Sequence, residues 1–193
     1  LRQGLIAVMA LLAVVLLARP ASASLCVWRQ PDEDIASIYN ADSYKTVFED
    51  IGDSLRARIE DKLGYELDPD ETQFKFFPVF KGDDQVGTVM THAGKGQFGV
   101  IEVVVAVTDT GTGAIVKAVR IQRDREKAKE AIRSSDFLGQ FKGMTSSDGF
   151  EIGTDLKTAE AGAERSSQAI ANAVRKLLIV YDEFNAPGGG GSR

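Results

Sequence analysis

Seven residues, Ile101-Glu102-Val103-Val104-Val105-Ala106-Val107, leave this chain few ways to fold. A β-rich run that is apolar at nearly every position, rather than at alternate ones, has to be covered on both faces, which predicts a central strand. Three more β-rich runs flank it: Phe74 to Phe80, Gln85 to Thr91, and Ala114 to Gln122. Asp83-Asp84 joins the first two runs and Thr110-Gly111-Thr112-Gly113 joins the last two. Links this short and this rich in turn formers read as hairpins, so the sheet is antiparallel. The cover must come from helices, and the predicted class is α+β, a twisted antiparallel sheet covered by helices.

Two apolar stripes with helical spacing supply candidates. Val47, Phe48, Ile51, Leu55, Ile59 and Leu63 recur every three or four positions and predict a helix running from Tyr44, with Ser43 as its cap and Gly64 as its stop. Asp68-Pro69-Asp70 then makes a turn. Ile170, Val174, Leu177, Leu178, Tyr181 and Phe184 form the second stripe. Between them, Asp124 to Arg133 is highly charged and helical in composition, and Ser134-Ser135-Asp136 ends it ahead of the apolar cluster Phe137, Leu138 and Phe141. A loop rich in glycine and serine follows from Gly143 to Gly153. Arg120, Arg123, Arg125, Lys127 and Lys129 alternate with Asp124, Glu126 and Glu130, which predicts a salt-bridged surface. The alternative for this cluster is docking to an acidic redox partner.

The ends of the chain read differently. Leu5 to Leu17 is an apolar run between Arg2 and Arg19-Pro20, and Ala21-Ser22-Ala23 has the small-x-small form of a signal-peptidase site. As a helix, Gly4 to Ala18 would span only about 22 Å, against roughly 30 Å of hydrocarbon. Residues 1–23 are therefore expected to be a signal peptide and the chain to be exported, to the periplasm or the outer face of the cytoplasmic membrane. An uncleaved anchor is the alternative. Residues 24–42 form an N-terminal segment, 43–184 a single domain, and 185–193 a glycine-rich tail expected to be disordered. Cys26 is the sole cysteine, which excludes an intramolecular disulfide. Lipidation at Cys26 is disfavoured by Leu25, which stands where that processing needs a small residue, so a plain, partly buried thiol is expected. With one cysteine and one histidine, His92, neither a haem attachment site nor a zinc cluster can form, and His92 is expected to be a surface or strand residue. The net charge of -5 gives no field to attract polyanions, so nucleic acid is not an expected partner. No residues stand out as catalytic and none as metal ligands.

Gly94-Lys95-Gly96-Gln97-Phe98-Gly99 satisfies the dinucleotide-binding pattern of glycines, but β-branched residues follow it where that fold needs a helix. It reads as a tight crossing between two strands. The last helical stripe is opened by Ala161-Gly162-Ala163-Glu164-Arg165-Ser166-Ser167.

This run resembles the flavin-attachment signature of the FMN-binding domain family, the extracytoplasmic flavoprotein domain found in bacterial Rnf- and Nqr-type electron-transfer subunits. In that family the run reads Ser-Gly-Ala-Thr-x-Ser-Ser, and FMN is joined through its phosphate to the threonine. The resemblance covers roughly Phe76 to Asp182. Phe77-Pro78-Val79-Phe80 with Val86-Gly87-Thr88-Val89 looks like the family's first hairpin, the glycine run like the link ahead of its longest strand, and Ile101 to Ile121 like its central strand pair. Asp136-Phe137-Leu138-Gly139-Gln140-Phe141-Lys142-Gly143 looks like the connector before the signature. The pieces keep the family's order.

Two departures qualify what the resemblance implies. The family's Glu-Thr-Pro-Gly-type loop near the flavin is replaced by Gln122-Arg123-Asp124-Arg125-Glu126-Lys127, expected here as a charged helix, and the threonine is replaced by Glu164. A carboxylate could form only a labile acyl phosphate, so covalent FMN is not expected. The resemblance implies a non-covalent FMN, its phosphate cradled by Gly162, Ala163, Glu164, Arg165, Ser166 and Ser167 at a helix N-terminus. Glu164 opposes this: at about 5 Å in water its charge against a phosphate dianion costs roughly 1.7 kcal/mol, a penalty Arg165 could offset. Alternatively the Glu164 carboxylate replaces the phosphate, satisfying the same N–H groups. The two implied functions are an extracytoplasmic electron carrier with non-covalent flavin, and a flavin-free accessory or structural subunit of a membrane-associated redox complex. The implied partner is a redox protein or such a complex, with membrane contact through it or through an uncleaved N-terminal segment.

Overall fold

The computed structural model describes residues 30–41 and 43–187. The expected signal peptide, Cys26 and the tail beyond Pro187 lie outside the described residues.

The elements run α1 (Asp32–Tyr39), β1 (Ser43–Tyr44), β2 (Val47–Asp50), α2 (Asp53–Leu63), β3 (Gln73–Lys81), β4 (Asp84–Lys95), β5 (Val100–Asp109), β6 (Ala114–Arg123), α3 (Lys129–Ile132), α4 (Ser135–Leu138) and α5 (Glu164–Asn185). A 3-10 turn, Gly139–Phe141, follows α4. The fold is α+β. The strands form one antiparallel sheet in the order β3-β4-β5-β6, with β1 and β2 end to end along the outer edge of β3. Both expected hairpins are present. The β3–β4 turn is built on Gly82-Asp83, since Asp84 already pairs with Lys81, and the Thr110 N–H closes the other turn onto Gly113 O at 3.1 Å.

Ile101 to Val107 is buried at every position. Val103, Val105 and Val107 face α5, whereas Val104 and Ala106 face α1, so the unbroken apolar run records two covered faces. On the α5 side Phe76 meets Tyr181 and Phe184 edge to face, with centroids 6.1 and 5.3 Å apart; such pairs add about 0.5–1.5 kcal/mol each beyond burial. On the other side Ile35 and Tyr39 of α1 pack on Phe77, Val79 and Val89. The Tyr39 hydroxyl finds its acceptor in the sheet, donating to Val107 O at 2.7 Å.

The helix expected from Tyr44 to Leu63 is a helix only from Asp53, and Ser43 is a strand residue, not a cap. Tyr44, Thr46, Val47 and Phe48 favour β structure, and pairing of Val47 with Phe76 and Glu49 with Phe74 gives their backbone a partner strand. Gly52, extended at φ -80° and ψ 162°, separates the two regimes; inside a continuous helix it would cost about 1 kcal/mol relative to alanine. The helix does stop at Gly64, whose N–H donates to Glu60 O.

Helices α2 and α5 are tied by Glu183, whose carboxylate accepts from Arg58 Nε at 2.8 Å and pairs with Lys62 Nζ at 2.7 Å. Burial pushes its pKa up, but the hydrogen bonds and charges of Lys62 and Arg58 outweigh that and hold it below 4.5. A depressed folded value means that this contribution is complete above 4.5 and drains away as pH falls through the lower folded value. Both cations are about half exposed, so Glu183→Gln is expected to lower stability by about 1 kcal/mol at neutral pH. Urea midpoints of the variant and the parent should converge as pH is taken below 4.5; a gap that persists unchanged in acid would place its origin elsewhere.

Candidate functional site

Three segments far apart in sequence meet at the N-terminus of α5: the β4–β5 link at Gly96 to Gly99, the loop after β6 at Asp124 to Ala128, and the run from Ala161 to Ser167. The β4–β5 link, expected as a crossing between two strands, is a hairpin turn between adjacent antiparallel partners, closed by the Gly96 N–H donating to Gly99 O at 2.7 Å. Gly96 packs so closely that an added Cβ would lie 2.4 Å from Glu126 Oε1. Phe98 is exposed, with Lys127 Nζ 4.6 Å from its ring centroid.

The loop after β6 is not the charged helix expected of it. Helix covers only Lys129 to Ile132, and Asp124 to Ala128 is irregular. Asp124 turns its own backbone, Oδ1 accepting from the Glu126 N–H at 3.0 Å, a local bond that competes with helix. Its Oδ2 accepts from Arg133 Nε and Nη2 at 2.8 and 2.6 Å, with the carboxylate fully covered. Ser134, expected to end a helix, begins one instead: its hydroxyl caps α4 by accepting from the Phe137 N–H. The charged run is thus only partly a salt-bridged surface. Asp124 and Glu126 point inward.

Glu126 joins the three segments. It is buried, Oε1 accepting from the Phe98 N–H at 3.0 Å and Oε2 from the Ser166 hydroxyl. Its partners lie 28 and 40 residues away, so no local pattern in the sequence marks it.

The six residues of the signature-like run divide into two sets. Gly162, with φ 87°, turns the chain into the helix, and Ala163 is buried beneath it. Glu164 opens the helix, exposed, with its carboxylate accepting from the Gly162 N–H at 3.1 Å. Hydrogen bonds from its own backbone N–H and that of Gly162 hold the Glu164 carboxyl below 4.5. Arg165 is exposed. Ser166 is buried on Glu126, and Ser167 is buried with Oγ accepting from the Ala159 N–H at 3.1 Å, beside Thr158 Oγ1. The N–H groups of Gly162 and Glu164 therefore already have a carboxylate, and the two hydroxyls face inward to other partners. Covalent attachment at either serine would require opening the α5 packing. His92 is a strand residue, as expected, and half-buried.

Among the described residues no group of three or more His, Cys, Asp or Glu side chains is placed to hold a metal ion, and no helix is long and apolar enough to cross a membrane. No family model matches the sequence, and no curated protein matches it. Among solved structures, NqrC of Shewanella oneidensis is similar at 15% identity and a TM-score of 0.48, over 79% of this chain and 86% of that one. The likeness assigns no residue a role.

Proposed function

We propose that this chain is an exported subunit of a membrane-associated redox complex, built on the FMN-binding-domain plan, in which the Glu164 carboxylate stands where that family carries its flavin phosphate. In this role it is a flavin-free accessory subunit. The observation that carries the reading is the bond from the Gly162 N–H to Glu164 Oε1, together with the inward, partnered hydroxyls of Ser166 and Ser167. A phosphate at this position would have to displace the carboxylate from its N–H groups while repelling it. A second reading, an electron carrier with non-covalent FMN, draws support from Arg165, which is exposed beside the helix start and has no side-chain partner among the described residues.

One experiment separates them. Native protein is purified from its own membrane fraction, precipitated with acid, and the supernatant and pellet are assayed for flavin. The accessory reading expects flavin in neither; stoichiometric FMN in the supernatant favours the carrier. Flavin fluorescence on the denatured polypeptide, with a flavin transferase co-expressed, would overturn both.

A further inference from the structure

A cavity of about 330 Å³ opens between α5, the end of β4 and the loop from Gly64 to Thr72, its first helical wall residue, Ala169, lying just past the signature-like run. That is the lower range of small-molecule sites, roughly 300–1,000 Å³. Its walls are small: Ala93 and Gly94 on the strand, Ala169 and Ala173 one helical turn apart on α5. Its polar groups are mostly hydrogen-bond donors left unfilled among the described residues. Lys176, with its side chain 7% exposed, pairs with Glu71 Oε1, which occupies one of its three N–H groups. Glu71 Oε2 already accepts from the Asp68 N–H. Among the described residues the His92 imidazole has no hydrogen-bond partner, and neither has the Tyr65 hydroxyl nor the Asn172 amide nitrogen, whose own oxygen accepts from Gln168.

We propose that this cavity binds a small organic monocarboxylate, whose oxygens fill the open donors of Lys176, His92 and Asn172 while its apolar part lies against Ala169, Ala173 and the Tyr65 ring. Lys176 is the buried cation of the wall, and two of its three N–H groups have no protein acceptor among the described residues, whereas Asn172 and Tyr65 are exposed and present their donors at the mouth. A single negative charge is the fit. Glu71 and Asp68 repel a dianion, and Lys95 at the exposed mouth offsets Asp68. The proposal is independent of the flavin readings, since none of these residues belongs to the run from Ala161 to Ser167.

His92 gives the site its own reporter. Burial first, and the Lys176 charge second, push its pKa down to about 3, so its ring stays neutral as pH is lowered through 6.5. As the chain's sole histidine it yields one set of ring signals. Titrating the folded protein with sodium benzoate or sodium pyruvate at constant ionic strength should shift the His92 ring nitrogens saturably, with a dissociation constant on the order of 1 mM or tighter. Ala169→Leu, a half-buried position where leucine extends into the cavity, should weaken binding at least about tenfold with unchanged melting, and Lys176→Met should abolish it. A linear shift that never saturates, an equal response to sodium chloride, or undiminished binding by Ala169→Leu would overturn the proposal.

Discussion

Glu126→Ala is expected to lower stability by about 2–4 kcal/mol, since hydrogen bonds to a charged group contribute about 1.5–3 kcal/mol each and a buried donor left without an acceptor adds its own cost. The carboxylate is buried and holds the Phe98 N–H at 3.0 Å and the Ser166 hydroxyl, so removing it frees the glycine link and the first turn of α5 together. The urea midpoint should fall with little change in slope. Glu126→Gln should fall between, because its amide oxygen still accepts one bond and the serine hydroxyl can rotate to accept from the amide nitrogen. An alanine variant within about 0.5 kcal/mol of the parent would mean that the three segments are held by packing alone.

Asp124→Ala is expected to cost about 3 kcal/mol, the lower end of what breaking a buried ion pair costs. The lower end applies because Asp124 is fully covered while Arg133 is 30% exposed and can recover some solvent. What is lost is a two-point contact, with Arg133 also donating to Ile121 O at 2.6 Å, and with Asp124 fixing the Glu126 N–H. At about 2–4 °C per kcal/mol, the melting temperature should drop by roughly 10 °C. Asp124 positions Glu126, so the double variant should lose less than the sum of the two. Strict additivity would sever the proposed link between them.

The strands were legible because burial on both faces writes itself into every position from Ile101 to Val107 of β5, and because short turns fix the pairing of β3 with β4 and β5 with β6. The region from Ser43 to Ile51 was not, because apolar spacing there is compatible with a helix and only the free edge of β3 decides for strand. Helix α1 leaves almost no trace. Just Ile35 and Tyr39 are buried in it, too few for a period, and its hydroxyl reaches backbone acceptors 49 and 68 residues away. At the candidate site, residue types suggested phosphate donors at Ser166 and Ser167. Their direction depends on Glu126 and Ala159, which no spacing rule connects to them.

Helix α5 is, at 22 residues, the last element among the described residues, and its inner face covers Phe76, Val103 and Val105. A chain made from its N-terminus thus carries its most apolar strand without the element that shields it until α5, which begins at Glu164, 57 residues after Val107, has followed. Arrival of α5 is therefore the step that joins the sheet, the Glu126 clasp and the cavity wall into one unit, since each of them is built on one of its faces.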